Sequence, residues 1–272
     1  MSDKILFIFI DGLAIPDKID TNHLSIFPTI SDILESSKPI DPVMGVEGTP
    51  QSGTGQTSLF CGINAQKHIG RHQYAFPCKK LRKLIEEKNI FSDLKKKNKK
   101  FCFANAYHTS YFAKESQRHS VSTWMCIYSN FDFLTEDDLL KDNAVYHDIT
   151  NKNYIDGCVP LKSPKKAAEN LLKISLQNDF TLFEYFLSDR AGHKRVEIDI
   201  IKELDGFLKE LLSMIPKDIG LIITSDHGNI EDLTSKSHTK NPVPFFTKNL
   251  PLDNLPEDLS EVKDYILDAL HL

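Results

Sequence analysis

Three short stretches of this 272-residue chain carry the carboxylates and imidazoles that divalent metals prefer. They hold Asp11 in I-F-I-D-G-L, Asp189 with His193 in L-S-D-R-A-G-H, and Asp226, His227 and His238 in S-D-H-G-N-I-E-D…S-H-T-K-N-P-V-P. Carboxylates are hard ligands and imidazoles borderline ones, so three of each suit Zn²⁺ or Mn²⁺ better than Mg²⁺. Two such ions about 3.5–4 Å apart can clamp a phosphoryl group, one activating a nucleophile and the other neutralising oxygen charge. The i to i+4 spacing of Asp189 and His193 lets one helical turn aim both at one ion. Adjacent Asp226 and His227 would point apart along an extended chain, serving two ions or flanking a bend.

The elements that must position these residues can be read around them. Each cluster follows an apolar, β-branched run, at 4–10, 180–187 and 220–224, the pattern of buried parallel strands. Open α/β sheets bind their ligands at the carboxyl ends of such strands. The expected fold is therefore α/β, a mostly parallel sheet flanked by helices. A helix is expected at 29–36. The clearest one is at 196–215, where Ile201, Leu204, Leu208, Leu211, Leu212 and Ile215 share one face. A last helix is expected at 259–270. Residues 1–76 and 164–272 read as one metal-binding core domain. Residues 77–163, richer in charge and aromatics, read as an inserted small cap or an extension of the same sheet. They contain a helix at 79–88, a strand-like run at 101–107 and a helix opened by Thr135 with Asp138 three positions on.

A nucleophile is expected where G-T-P-Q-S-G-T-G-Q-T-S-L-F-C-G turns into a short helix, because free N–H groups and the positive end of the dipole favour an oxyanion there. Thr57 and Ser58 are the candidates by position, and Thr57 also fits a plain helix N-cap. Downstream, Arg71 could fork onto phosphate oxygens, with Asn64, His68 and His72 as further substrate contacts. Tyr107, His108, Arg118 and His119 could line the site from above. His23, His147 and His271 have no partner pattern and read as structural or exposed.

Composition excludes other classes. Forty per cent hydrophobic and 26% charged residues are ordinary for a globular protein, and no apolar run approaches a membrane span. The opening M-S-D-K-I-L-F-I-F-I-D is too short and too acidic for a signal peptide, so a cytoplasmic protein is expected. Five cysteines without a C-x-x-C pair suggest neither a disulfide framework nor a thiolate zinc site. A net charge of -5 and a pI near 6.1 argue against nucleic acid as partner. A small phosphorylated molecule is the expected ligand.

Taken together, I-D-G, G-x-P…G-x-T, D-x-x-x-H, S-D-H-G-N-x-E-D and H-T-x-N-P-V-P resemble the metalloenzyme branch of the alkaline phosphatase superfamily. Cofactor-independent phosphoglycerate mutase and phosphopentomutase are its best-known members. The resemblance implies two divalent ions, one held by Asp11, Thr57, Asp226 and His227, the other by Asp189, His193 and His238. It aligns Thr57, rather than Ser58, Thr54 or Ser52, with the phosphorylated hydroxyl, so a covalent phosphothreonine is expected. The independent mutases carry over 200 residues inserted after the nucleophile, and this chain has far fewer. Release to water, hence phosphomonoester hydrolysis, is the first expectation. A phosphomutase, a phosphodiesterase, sulfatase or phosphonate hydrolase, and a non-catalytic phospho-ligand binder are the alternatives.

Overall fold

The apolar run K-I-L-F-I-F-I is β1 (Lys4–Ile10), with all but its first residue buried, as a strand covered on both faces must be. A computed structural model describes residues 3–113, 118–154, 157–194 and 198–272. After β1 come α1 (Pro28–Ser36), β2 (Lys38–Ile40), α2 (Ser52–Cys61), α3 (Ala65–Ile69), α4 (Lys79–Glu87), α5 (Ile90–Lys96), β3 (Phe101–Phe103), α6 (Val121–Tyr128) and α7 (Glu136–Leu140). The second half adds α8 (Pro164–Leu176), β4 (Phe180–Tyr185), α9 (Leu187–Lys194), α10 (Ile198–Met214), β5 (Ile219–Thr224), β6 (Val243–Lys248) and α11 (Val262–Ala269).

The strands form one sheet in the order β2-β6-β5-β1-β4-β3. β1 runs parallel to β4 and β5, and β3 parallel to β4, whereas β6 is antiparallel to both β5 and β2. The registers Ile10↔Tyr185 and Phe9↔Thr224 bring the carboxyl ends of β4, β1 and β5 to one edge. Alternation along β1 sends Leu6, Ile8 and Ile10 into a core shared with α1, α8 and α10. Ile5, Phe7 and Phe9 enter the opposite core, with α2, α5, α6 and α11. The fold is thus an α/β sheet with helices on both faces.

α10 buries Ile201, Leu204, Leu208 and Leu211 as the periodicity predicts, and Phe207 joins them; the first two positions expected of this helix fall in 195–197, outside the described residues. Thr135 and Asp138 form the capping box that opens α7. The strand expected at 101–107 ends at Phe103. Beyond it the chain is held by single bonds, Ala104 N–H to the Leu182 carbonyl at 2.8 Å and Val145 N–H to the Ala104 carbonyl at 2.9 Å. β6 escaped the sequence pattern because two prolines, Pro242 and Pro244, flank Val243 at its start, where proline normally argues against a strand. Residues 77–163 supply β3 to the sheet and α4, α5 and α6 beside it. Among the described residues no helix is long and apolar enough to cross a membrane.

Candidate metal centre and active site

Three adjacent strand ends deliver the chemistry. Asp11 follows β1 directly, Asp226 follows β5 by one residue, and Asp189 lies in the first turn of α9, which begins just after β4. Two groups of side chains converge there: Asp11, Asp226 and His227, and Asp189, His193 and His238. Within each group the ligand atoms lie within 4.8 Å of one another. His227 Nε2 is 3.2 Å from Asp11 Oδ1 and 3.5 Å from Asp226 Oδ2. Asp189 reaches His193 Nε2 with one oxygen and His238 Nε2 with the other, both at 3.3 Å. The rings of His227 and His238 stack with centroids 3.7 Å apart, so the two groups touch.

Other residues of the same motifs hold these ligands in place. Gln56 Nε2 donates to Asp11 Oδ2 and to Asp226 Oδ2, each at 3.1 Å, bridging two carboxylates that would otherwise repel. Asn229 Nδ2 donates to Asp189 Oδ1 at 2.6 Å, and the Asn229 N–H is held by Glu231 Oε2 at 2.8 Å. The other oxygen of Glu231 accepts from Thr239 Oγ1 and, at 3.1 Å, from Asn241 Nδ2. Ser225 Oγ donates to the His227 carbonyl at 3.0 Å, and Ser188 Oγ to the Asp11 carbonyl at 2.6 Å. Gly12, at φ +76, turns the chain past Asp189, whose Cα a β-carbon there would approach to 2.9 Å.

The donor set fits divalent cations. Asp11 Oδ1 and Asp226 Oδ1 are buried and accept no hydrogen bond, leaving anionic lone pairs unmatched. His193 Nδ1 lies 2.7 Å from the Lys236 carbonyl and His238 Nδ1 3.0 Å from the Pro50 carbonyl; a carbonyl only accepts, so each Nδ1 is the protonated nitrogen. Their Nε2 atoms therefore face each other as two acceptors 3.1 Å apart. Either a proton or a metal must resolve that conflict, and carbonyl-anchored Nδ1–H groups are how metal-binding histidines are oriented. Burial, reinforced by the charges of Asp226, Asp189 and Glu184, holds the Asp11 carboxyl well above the usual carboxylate range. Burial would also raise Asp189, but its contact with the His238 ring, the charge of His227 and the Asn229 amide bring it down to about 2. Glu184, fully buried, is pushed up to about 7 by burial, against the hydrogen bond from Ser122 and with the charge of Asp226.

The structure does not bring Thr57 to this centre. α2 begins at Ser52, so Thr57 lies in its second turn, fully buried, with Oγ1 donating to the Gly53 carbonyl at 2.6 Å. Ser58 is equally buried, its one hydroxyl proton shared between the Thr54 carbonyl at 2.9 Å and Gln66 Oε1 at 3.1 Å. The hydroxyl at the metal groups is that of Ser52, whose Oγ is 2.9 Å from His227 Nε2 at the first residue of the helix. The misplacement has a physical origin. Gly53 and Gly55 read as a turn in sequence, yet both are helical and are small because neighbours crowd them. A β-carbon would come within 2.8 Å of the Gln73 carbonyl oxygen at Gly53 and of the Asp226 carbonyl oxygen at Gly55.

Asn64, His68, Arg71 and His72 are not brought to the site either. Asn64 caps α3 and donates to the Met44 carbonyl at 2.9 Å. His68 and Arg71 are exposed, and His72 Nε2 lies 3.1 Å from the Val46 carbonyl. None of the four lines the cavities at the metal groups. A cavity of about 490 Å³ opens beside Asp11, Ser52, Gln56 and Asp189, and Tyr107 and His108 from the middle block line it. His119 meets this wall through Tyr111 Oη, 3.2 Å from its Nδ1. His147 also lines the cavity, stacked on Phe186 with centroids 4.8 Å apart; burial and the nearby Arg190 charge lower it to about 4. A second cavity, with Ser52, Asp189, His193 and His238 in its wall, borders the other metal group. Gln56 and Glu184 escaped the sequence reading, Ser52 was set aside there in favour of Thr57, and Glu184 had no motif to mark it.

This sheet with helices on both faces has the fold of alkaline-phosphatase-like structures. Residues 138–264, a little under half of the chain, match the family model described as Metalloenzyme superfamily. The chain is 32% identical over 123 residues to 2,3-bisphosphoglycerate-independent phosphoglycerate mutase of Mycoplasmopsis pulmonis. That alignment takes in 42% of this chain and 24% of the relative, so the chain spans about a quarter of that protein. In structure it is similar to the PH0037 protein of Pyrococcus horikoshii, with a TM-score of 0.61, 13% identity and coverage of 98% of this chain and 96% of the other. It is also similar to the alkaline phosphatase of Thermus thermophilus, with a TM-score of 0.59, 10% identity and coverage of 99% and 91%. At such identities the likeness is one of fold.

Removing the Asn229 amide by Asn229→Ala should leave the fold intact and weaken metal binding by about 10–100-fold, as losing an orienting partner of a ligand does. Calorimetric titration with Mn²⁺ or Zn²⁺ reads this directly, and undiminished affinity would show that Asn229 does not orient Asp189. A second expectation concerns pH. Because the folded state holds the Glu184 proton up to about pH 7 and the free side chain only to 4.5, its contribution to stability is greatest below 4.5 and is lost as pH rises through 7. Glu184→Gln in the metal-free protein should therefore abolish a stability loss on the order of 1–3 kcal/mol across that window. Urea unfolding at a series of pH values measures it, and identical slopes for both proteins would refute the assignment.

Proposed function

We propose that this chain is a metal-dependent phosphohydrolase of the phosphomonoesterase type, with Ser52 as the nucleophile. The observation that carries the reading is the position of Ser52 Oγ, at the amino end of α2, 2.9 Å from His227 Nε2 and in the wall of both cavities. A helix start offers unpaired N–H groups and a positive dipole end, which favour an oxyanion and an incoming phosphate. Asp11, Asp226 and His227 would hold one divalent ion and Asp189, His193 and His238 the other, of which Zn²⁺ or Mn²⁺ suits three histidines better than Mg²⁺. Bound there, the ions would neutralise phosphoryl oxygens and lower the cost of ionising the attacking hydroxyl.

Ser52 Oγ attacks phosphorus in line, and the ester oxygen leaves as an alcohol, carrying away the proton that Ser52 gives up. Water then cleaves the phosphoserine, regenerating the hydroxyl and releasing phosphate. Gln56 keeps Asp11 and Asp226 apart at a fixed separation during both steps. Arg190, exposed at the cavity rim next to Asp189, is the guanidinium suited to the outer phosphate oxygens. Hydrolysis is favoured over intramolecular transfer because the cavity opens to solvent and Arg190 is its one lysine or arginine side chain among the described residues. A mutase must retain a charged, dephosphorylated intermediate while it turns.

With p-nitrophenyl phosphate and added Mn²⁺ or Zn²⁺, Ser52→Ala should lower turnover by on the order of 10³ or more. Thr57→Val should stay within several-fold of the parent. An inactive Thr57→Val beside an active Ser52→Ala would return the nucleophile to Thr57. With 3-phosphoglycerate and sugar phosphates, free phosphate should accumulate without isomerised ester in the ³¹P spectrum.

A further inference from the structure

The cavity that opens from Ser52 has two unlike ends. Its floor is the polar centre, with Asp11, Ser52, Gln56 and Asp189, and its walls are aromatic: Phe76, Phe103, Tyr107, Tyr111, Tyr146 and Phe186. Several polar atoms of those walls are already paired within the protein. Tyr107 Oη is 2.8 Å from Thr123 Oγ1, and Tyr111 Oη is 3.2 Å from His119 Nδ1. The Asn105 amide is paired at both ends with the Glu184 backbone, at 2.7 and 2.8 Å. What the walls chiefly present to a ligand is ring faces and edges. Three of the rings, Phe76 at 43%, Tyr111 at 39% and Phe186 at 37% exposure, stand open to water, where a ligand's ring could cover them.

We infer that the substrate is a phosphate monoester whose leaving alcohol bears a planar aromatic ring, held between the aromatic walls while the phosphoryl group lies on the polar floor. This rests on the phosphohydrolase reading for the floor, while the wall is a ligand site in its own right. A ring is favoured over an alkyl chain because the cavity is compact, about 490 Å³, and because aromatic side chains approach from several directions, giving edge and face contacts that a chain does not use. His147 extends the wall rather than charging it. It stacks on Phe186, and burial with the Arg190 charge keeps its ring neutral near pH 7.

The test compares 2-phenylethylphosphonate with ethylphosphonate, two non-hydrolysable probes with like phosphonate groups, by calorimetric titration of the metal-reconstituted protein. The phenyl probe should bind about ten-fold tighter or more, the return expected for burying one ring. Phe186→Ala and Tyr111→Ala should each cut that ratio at least about three-fold, with Phe186→Tyr retaining most of it, provided circular dichroism shows each variant folded. Equal affinities, a ratio unchanged in both alanine variants, binding of neither probe, or tighter binding of 3-phosphoglycerate than of the phenyl probe would overturn the inference. Turnover of ethyl phosphate and 2-phenylethyl phosphate is followed separately. If neither is cleaved while the binding preference holds, the hydrolase reading falls and the aromatic ligand site stands; if both are cleaved without a preference, the reverse is true.

Discussion

Asp11, Asp189, Asp226 and Glu184 concentrate negative charge at the carboxyl ends of β1, β4 and β5, where burial removes most of the water that would screen it. Like charges in such a place disfavour one another's ionisation, and the protein shows this in the raised carboxyls of Asp11 and Glu184. Protein donors relieve only part of the load. Gln56 serves one oxygen each of Asp11 and Asp226, and the other oxygen of each is left without a hydrogen bond. Such an arrangement is costly to fold unless cations complete it, because isolated buried carboxylates forfeit their hydration. Metal binding and the stability of this edge are therefore linked.

That constraint explains why the surrounding chain is built as it is. A ligand set drawn from three strand ends is only as rigid as the strands, so β4, β1 and β5 are adjacent, parallel and buried on both faces. The connections after them are equally constrained: Gly12 lets the chain pass Asp189, and Gly55 lets α2 lie against the Asp226 backbone. The same close packing of α2 puts Ser52, rather than a residue deeper in the helix, beside His227.

Much of this was legible in the sequence, and the parts that were not share a reason. Asp11, Asp189, His193, Asp226, His227 and His238 stand out because each follows a run whose period marks a buried strand, and short-range pattern is enough to place them on one edge. β6 was hidden by its prolines, and the start of α2 by glycines that signal a turn locally and tight packing in three dimensions. Thr57 and Ser52 are both hydroxyls in one Gly-rich segment, and choosing between them needs the helix start, a boundary set by contacts with Asp226 and Gln73 far along the chain. Glu184 sits near the end of an otherwise mostly apolar strand, where nothing local separates a buried acid at a functional edge from an accident of composition.

The central claim is that two cations complete the two side-chain groups. Anomalous diffraction from crystals grown with Mn²⁺ or Zn²⁺ tests it most directly. Two peaks should appear, one among Asp11, Asp226 and His227 and one among Asp189, His193 and His238, about 3.5–4 Å apart as in two-metal phosphoryl-transfer sites. A single peak, or peaks away from both groups, would contradict it.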